Sequence, residues 1–300
     1  MDAVNRRNFL MTASAALAAP AVAPIALAAP ASSKPRDIHK AIMYGTVGIK
    51  GSVLEKFQAV KAAGFEGIEP MSHMSQNEVL DAFAATGLKP ASCCCDTHWK
   101  KPLSDPDPAV RQAGLDGLIQ ALRDAKAYGA SSVLLVPAVV NKTVAYDMAW
   151  KRSQEQIRKA IPVARELGVK IAIENVWNQF LLTPLEAARY VDEFESPSVG
   201  WHFDVGNSVT YGYPEQWIRI LGKRIVKLHI KEYSRAKRDK LGPSAGFQVA
   251  YLQGDDDWPA VMAALDEVGY TGWGIAEQPG GDTPEGLKTL TAGMDQIFAS

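Results

Sequence analysis

The feature that most constrains the fold of this 300-residue chain is a regular alternation of strand-like and helix-like segments. Short apolar runs, which are typical of buried strands, are each followed by a longer segment with apolar residues at helical spacing. The predicted strands cover residues 40–46, 67–69, 90–95, 132–136, 169–174, 199–204, 225–230 and 272–277. The predicted helices cover residues 53–63, 76–86, 109–128, 146–167, 184–194, 214–221, 258–268 and 285–298.

Eight β/α units in succession are the number that closes a TIM (β/α)8 barrel. We therefore predict an α/β fold with a single-domain TIM barrel over residues 34–300. An open, doubly wound sheet is the alternative, and it would typically carry a glycine-rich phosphate loop after the first strand. Residues 45–51 match neither of the common glycine motifs for nucleotide binding. The connection over residues 231–257 is unusually long, and long loops on one face of a barrel are usually functional.

The first 33 residues read as an export signal rather than as part of the fold. The segment Asn5-Arg6-Arg7-Asn8-Phe9-Leu10 resembles a twin-arginine motif, and a weakly apolar, alanine-rich stretch follows it. Ala26-Leu27-Ala28 fits a small-residue cleavage site. We therefore expect recognition by the twin-arginine export machinery and a periplasmic location. That route carries folded proteins, so the passenger can acquire a metal ion before export.

Composition narrows the possible partners. The net charge of −1 argues against a nucleic-acid-binding protein, which would need a basic face. No segment after the leader approaches the roughly 20 apolar residues that cross a bilayer, so we expect no stable membrane insertion after cleavage. The three cysteines are consecutive, at 93–95, and cannot form a disulfide framework. A homo-oligomer is compatible with the sequence.

Four of the predicted strands end in residues that can hold a divalent metal. They are Glu174, Asp204, His229 and Glu277, and each follows an apolar run. The carboxyl ends of the strands of a TIM barrel open onto one face, where the active site is built. Three carboxylates and one imidazole that converge there would bind a hard or borderline cation. Mn²⁺ is the ion we favour, and Mg²⁺, Co²⁺ or Zn²⁺ are compatible with the same ligands.

The segments around these residues resemble those of a known family. They are Ile173-Glu174-Asn175, Phe203-Asp204-Val205-Gly206-Asn207, Lys227-Leu228-His229-Ile230-Lys231 and Ala276-Glu277. In this pattern the chain resembles the xylose isomerase-like TIM barrels, over nearly all of the sequence after the leader. Within that superfamily it is most similar to the sugar phosphate isomerase/epimerase branch, which includes the ketose 3-epimerases.

The resemblance implies roles for individual residues. Glu174, Asp204, His229 and Glu277 correspond to the ligands of a single metal ion. Arg235 matches an epimerase arginine that binds oxygens of the substrate. Those epimerases also carry a substrate-binding histidine shortly after the aspartate ligand, whereas this chain has Gly206-Asn207. His202, two residues before Asp204, is a candidate to replace it.

A divalent ion between the carbonyl and an adjacent hydroxyl oxygen of a sugar would polarise the carbonyl and stabilise an enediolate. We predict that Glu174 and Glu277, on opposite sides of the metal, act as base and acid in isomerisation or epimerisation. The residues predicted to contact a carbohydrate substrate are Arg235, His202, His98, Glu69, Lys231 and Trp177.

Three alternatives remain at the level of the sequence. Elimination from the same enediolate would make the protein a lyase or hydrolase of 3-keto-glycosides. A non-catalytic sugar-binding barrel would need the pocket but not the metal. An endonuclease IV-like DNA repair enzyme would need more histidine ligands, and the chain has five histidines in all.

Overall fold

Nine parallel strands form the central sheet in the computed structural model, which describes residues 36–300. The export signal predicted for residues 1–33 lies outside the described residues. The strands are β1 Ile38–Met43, β2 Gly67–Glu69, β3 Lys89–Pro90, β4 Cys93–Cys94, β5 Ser132–Leu135, β6 Lys170–Glu174, β7 Val199–Asp204, β8 Ile225–Ile230 and β9 Gly272–Ala276. Their order in the sheet is β3-β2-β1-β9-β8-β7-β6-β5-β4.

The two edge strands, β3 and β4, together occupy one position of the barrel. β3 pairs with β2, and β4, which begins three residues after β3 ends, pairs with β5. A bridge between Met71 and Cys94 also links the segment after β2 to β4. The N–H groups of Lys89 and Ala91 donate to the β2 side, whereas pairing with β5 begins only at Cys93, so the single strand predicted over residues 90–95 is divided in two. Nine strands thus fill eight positions, which confirms the predicted TIM barrel.

Helices cover the outside of the sheet. They are α1 Val53–Ala62, α2 Gln76–Thr86, α3 Pro108–Tyr128, α4 Tyr146–Leu167, α5 Pro184–Asp192, α6 Val205–Val209, α7 Pro214–Leu221, α8 Arg235–Leu241, α9 Trp258–Val268 and α10 Pro284–Ala299. Thr183, the N-cap of α5, accepts a hydrogen bond from the backbone N–H of Glu186, ahead of a proline at the first helical position. Among residues 36–300, no helix is long and apolar enough to cross a membrane.

Side-chain alternation along the strands separates two buried layers. Trp201 and Phe203 belong to the large hydrophobic cluster between the sheet and the helices. Because neighbours in a strand point to opposite faces, His202 and Asp204 point into the barrel. A smaller apolar cluster, which contains Ala41, Ala91 and Ile275, fills part of the interior. The barrel therefore presents polar residues at one end of a packed interior, as the sequence predicted.

Two short helices were absent from the prediction. α6 begins directly after Asp204, and α8 lies within the connection predicted as a long loop over residues 231–257. With five and seven residues, both are too short to show a helical period in the sequence. The first strand also lies two to three residues earlier than predicted, because residues 44–46 form a 3-10 turn.

Candidate active site

Four neighbouring strands bring the predicted metal ligands together. Glu174 ends β6, Asp204 ends β7, His229 lies near the end of β8, and Glu277 directly follows β9. These strands are adjacent in the sheet, so their carboxyl ends meet at one edge of the barrel. One ligand atom from each of the four side chains lies within 4.8 Å of the others. The geometry is therefore compact enough for all four to contact one ion.

The imidazole of His229 is oriented toward the three carboxylates. Its Nδ1 lies 2.9 Å from Glu277 Oε2, 3.3 Å from Glu174 Oε1 and 3.8 Å from Asp204 Oδ2. This Nδ1 is buried and has no aligned hydrogen-bond partner among the described residues. The other ring nitrogen, Nε2, lies 3.1 Å from Glu69 Oε2. Burial opposes protonation of His229, but Glu277, Glu69 and Glu174 outweigh it and raise the pKa of His229 well above its usual value. A cation at Nδ1 would take the place of the proton there, while Nε2–H donates to Glu69, as in many metal-binding histidines.

The two carboxylate oxygens of Asp204 face different surroundings. Oδ1 accepts a hydrogen bond of 2.7 Å from the backbone N–H of Asn207 and so caps the first turn of α6. Oδ2 lies toward His229 and Lys231. The Asn175 side chain accepts from the backbone N–H of Asp204 at 3.1 Å and donates to its carbonyl at 2.9 Å. The strand end is thereby fixed by hydrogen bonds from the neighbouring strand.

Lys231 supplies positive charge to the cluster. Its Nζ lies 2.7 Å from Glu277 Oε2 and 3.2 Å from Asp204 Oδ2. Burial alone would raise the pKa of Glu277, but Lys231 and His229 outweigh it and hold that pKa well below its usual value. Burial raises the pKa of Asp204 to about 8, against the effect of Lys231 and with the help of Glu277 and Glu174. Burial also raises the pKa of Glu174.

These residues fit a divalent cation. Three carboxylates and one ammonium group sum to a formal charge of −2, which a dication would neutralise. The unpartnered Nδ1 of His229 supplies a nitrogen ligand, and the carboxylates supply oxygen ligands. Mixed oxygen and nitrogen ligation suits Mn²⁺, Co²⁺ or Zn²⁺, and the carboxylates also suit Mg²⁺. Burial, with the neighbouring carboxylates Glu277 and Glu174, keeps the pKa of Asp204 raised, and a dication among these groups would favour its ionised form.

A small pocket of about 90 Å³ opens above the cluster. It is lined by the predicted substrate contacts His98 and Trp177 and by Glu174, His229, Lys231 and Glu277, among others. His98 Nδ1 accepts a hydrogen bond from the backbone N–H of Val136 at 3.2 Å. Burial lowers the pKa of His98 to about 4, so its imidazole is neutral. In this tautomer Nε2 carries a proton that can be donated to a substrate oxygen.

Trp177 lies at the mouth of this pocket. Its ring stacks on that of Trp99, with centroids 5.4 Å apart and an interplanar angle of 22°. Trp177 is 59% exposed, so the stacked pair faces solvent rather than the core. An exposed pair of indoles beside a polar pocket offers apolar faces on which a sugar ring can stack.

Two predicted substrate contacts lie deeper than the pocket. Glu69 and His202 are fully buried and do not line it. Glu69 bonds His229 from behind, and the His202 ring lies 4.2 Å from that of His229, centroid to centroid. His202 shares the inward face with Asp204, but two residues along a strand correspond to roughly 6.6 Å of depth. The structure therefore places both residues beneath the cluster, and His202, the candidate to replace the missing histidine, does not line the pocket.

Arg235 also lies away from the metal ligands. Its guanidinium donates a hydrogen bond of 2.7 Å to the carbonyl of Gly212 and lies 5.2 Å from the centroid of the Tyr213 ring. Since the backbone turns into α8 at this residue, its side chain extends along the surface toward the loop after α6. The structure does not bring Arg235 into the pocket predicted for it.

The sequence matches a known family over most of its length. A sequence model described as "Xylose isomerase-like TIM barrel" matches residues 57–295. The chain belongs to the xylose isomerase-like TIM barrel family. The predicted resemblance is thereby confirmed for residues 57–295, which contain strands β2 to β9 and the four candidate ligands.

Several proteins that are similar to this chain are sugar epimerases by name. The L-ribulose-5-phosphate 3-epimerase UlaE of Escherichia coli O1:K1 / APEC is 23% identical over 262 residues, which cover 80% of this chain and 89% of UlaE. The D-allulose 3-epimerase from Methylomonas sp., solved in complex with D-allulose, has a TM-score of 0.70 at 17% identity and covers 87% of this chain and 98% of its own. The 3-keto-D-glucoside 4-epimerase YcjR from E. coli has a TM-score of 0.72 at 18% identity, with coverages of 86% and 99%.

Three residues of the site were not predicted from the sequence. Asn175 fixes the backbone of Asp204, Asn207 lines the pocket, and Trp99 stacks on Trp177. Asn175 directly follows Glu174, and Asn207 comes three residues after Asp204; this proximity to predicted ligands was the only signal in the sequence. Trp99 follows His98 in a loop, where neither spacing nor residue type distinguishes it from other surface residues.

Proposed function

We propose that this protein is a divalent-metal-dependent sugar isomerase or epimerase that acts through an enediolate on a sugar or keto-sugar. One observation carries the proposal: three carboxylates and an unpartnered imidazole nitrogen converge at the carboxyl ends of adjacent strands. The relatives support it, because they are named as epimerases of ribulose 5-phosphate, allulose and 3-keto-glucoside.

Glu174, Asp204, His229 and Glu277 are the proposed ligands, and Mn²⁺ is the proposed ion. When bound, such an ion polarises a sugar carbonyl and stabilises negative charge on its oxygen. Asp204 and His229 come from β7 and β8, in the middle of the four strands, and both are fixed from behind by Asn175 and Glu69. We assign these two residues to holding the ion.

Glu174 and Glu277 come from the two outer strands of the four and therefore flank the ligand set. We propose that one removes the proton from the carbon next to the carbonyl and that the other returns it, on the opposite face for epimerisation. The Lys231 ammonium lies within hydrogen-bond distance of Glu277 and lines the pocket, so it can donate to a developing oxyanion. Neutral His98 can donate from Nε2 to a substrate hydroxyl.

The proposal is tested by proton exchange. Purified protein with Mn²⁺ is incubated in D₂O with ketoses, aldoses and 3-keto-glucosides, and carbon-bound deuterium is measured by NMR. We expect uptake on at least one sugar and a loss of about 10²- to 10⁴-fold for Glu174→Gln and Glu277→Gln, as for removal of a positioned acid or base. Glu66→Gln, on the surface beside His39, is the matched control and should retain the rate.

Absence of exchange on every sugar would refute the isomerase proposal. If sugars nevertheless bind, and bind equally well to Glu174→Gln, the non-catalytic sugar-binding barrel becomes the better description. Loss of metal binding without loss of the fold in Asp204→Asn would separate a failed metal site from a failed structure.

A lyase or hydrolase of 3-keto-glycosides is the second candidate. The observation that favours it is the turn after Asp204, where Gly206 packs against the Lys231 carbonyl and Asn207 stands in the pocket. Gly206-Asn207 stand in the sequence where the resemblance implies a substrate-binding histidine, so the resemblance to ketose 3-epimerases is incomplete at a residue that would contact the sugar. Release of the aglycone from a 3-keto-glucoside, in place of deuterium uptake alone, would identify this outcome.

We also propose export to the periplasm through the twin-arginine pathway, directed by residues 1–33. The proposal rests on Arg6-Arg7, the alanine-rich stretch and the site at Ala26-Leu27-Ala28. Fractionation of cells that express the full chain should recover a shortened protein from the periplasm. Replacement of both arginines with lysine should leave the full-length precursor in the cytoplasm, and periplasmic recovery of that variant would refute the proposal.

A further inference from the structure

A second cavity adjoins the proposed sugar pocket and differs from it in chemistry. It has a volume of about 430 Å³, against about 90 Å³ for the pocket above the metal ligands. Four aromatic side chains line it, together with Pro243 and three small or neutral polar residues; the aromatic residues are Trp177, Tyr211, Tyr233 and Phe247. Among residues 36–300, no charged side chain lines it, so its walls suit an apolar, planar group.

The two cavities share a wall. Of the residues that the structure describes, Trp177 alone lines both of them. On the far side, the Lys231 ammonium of the sugar pocket lies 5.0 Å from the centroid of the Phe247 ring. A ligand that fills the small pocket and carries a substituent beside Trp177 would therefore reach the aromatic cavity directly.

The aromatic walls are held by contacts of their own. The Tyr233 and Phe247 rings meet edge to face with centroids 4.7 Å apart, and the Tyr233 hydroxyl donates to the Pro243 carbonyl at 3.0 Å. A side chain at Gly246 would overlap the Tyr233 ring. The loop that carries Trp177 includes Gln179 at a φ of 61°, an uncommon conformation for a residue with a side chain. These features fix the cavity in the absence of any ligand.

We infer that the substrate is a glycoside with an aromatic aglycone, whose sugar ring occupies the small pocket and whose aglycone occupies the aromatic cavity. This inference rests on the proposed function, because that function places the sugar above the metal ligands. A second sugar ring fits less well, since its hydroxyl groups would face mainly aromatic carbon. The predicted Arg235 lies outside this cavity, and its side chain supports the loop that carries Tyr211 through the Gly212 carbonyl.

The test compares two ligands that differ only in the aglycone. Binding of the 3-keto forms of methyl and phenyl β-D-glucoside to the Mn²⁺-loaded protein is measured by calorimetry. Burial of one phenyl ring against aromatic walls should make the phenyl ligand about 10- to 100-fold tighter. Tyr211→Ala should reduce that ratio severalfold. Tyr213→Ala, two residues away on the same loop and outside the cavity, is the matched control and should keep the ratio.

The outcomes distinguish this inference from the proposed function. If deuterium exchange proceeds on the methyl ligand but the phenyl ligand binds no more tightly than the methyl ligand, the inference is overturned and the function stands. If the phenyl preference appears and depends on Tyr211, but no sugar exchanges deuterium, the function fails and the aromatic subsite stands. If a 3-keto-disaccharide binds more tightly than the methyl ligand and the phenyl ligand does not, the inference is overturned in favour of a second sugar ring.

Discussion

The contact between Glu69 and His229 yields the sharpest prediction from this structure. Both side chains are buried, and the Glu69 carboxylate accepts from Nε2 at 3.1 Å while Nδ1 points toward the other three carboxylates of the cluster. If this bond fixes the tautomer, then Glu69→Leu should leave Nδ1 protonated in part of the population and the ring free to turn. Loss of such a supporting carboxylate typically lowers metal affinity by about 10- to 100-fold.

The size of the effect separates hydrogen bonding from charge. Glu69→Gln keeps an oxygen acceptor at the same place, so it preserves the tautomer but removes the negative charge behind the ring. We expect a loss of about tenfold for Glu69→Gln, which corresponds to about 1.4 kcal/mol of binding free energy, and about 100-fold or 2.7 kcal/mol for Glu69→Leu. The graded pair tests the tautomer argument more directly than either variant alone.

Calorimetric titration of the metal-free protein with Mn²⁺ at pH 7.5 measures these affinities. Glu66→Gln removes a carboxylate three residues away that bonds His39 on the surface, and its affinity should equal that of the wild type. Circular dichroism establishes that each variant is folded. A folded Glu69→Leu protein with unchanged Mn²⁺ affinity would refute the reasoning, because the imidazole would then be oriented without its buried partner.

Three further predictions follow from the site. The pKa of His98 is lowered to about 4, so the unfolded state takes up its proton first; the free energy of unfolding should fall by up to about 3 kcal/mol as pH drops from about 6.5 to 4. His98→Gln should lack this part of the fall in denaturant titrations at pH 7.5 and 4.5, and an unchanged pH dependence would contradict the burial argument. Gly206→Ala would place Cβ 2.7 Å from the Lys231 carbonyl oxygen, so calorimetry should show about 1–3 kcal/mol of lost stability, and an unchanged melting temperature would count against this packing. Removal of metal with a chelator should abolish deuterium exchange and lower the melting temperature, and Mn²⁺ at 100 times its Kd should restore about 2.7 kcal/mol; equal stability with and without metal would contradict the charge argument.

Much of the fold was predictable because its elements are long and periodic. The strands that end at Glu174 and Asp204 were predicted to within one residue, since apolar runs of five or six residues are bounded by clear turn signals. The same strands predicted the convergence of the four candidate ligands, because parallel strands of a barrel share one open end. Short elements without a period, such as α6 and α8, gave no such signal.

Depth inside the barrel was harder to predict than direction. Alternation along a strand places His202 on the same face as Asp204, but it does not tell how far a residue lies below the rim. Glu69 ends a strand of three residues, and its neighbours gave no indication that it would meet the back of His229. Arg235 depends on the backbone path after β8, which the unpredicted helix α8 redirects. These details arise from tertiary packing and are not encoded in local spacing.

Asp204 Oδ1 accepts from the Asn207 amide of α6, whereas Oδ2 faces the cluster. Formation of this helical turn and binding of an ion by Oδ2 are therefore coupled equilibria. Any interaction that keeps this turn from fraying reduces the entropy lost when an ion is captured. By the same measure, an ion held by Oδ2 must protect the Asn207 amide from exchange with solvent. The stability of the short helix α6 is thus coupled to ion binding at the candidate metal centre.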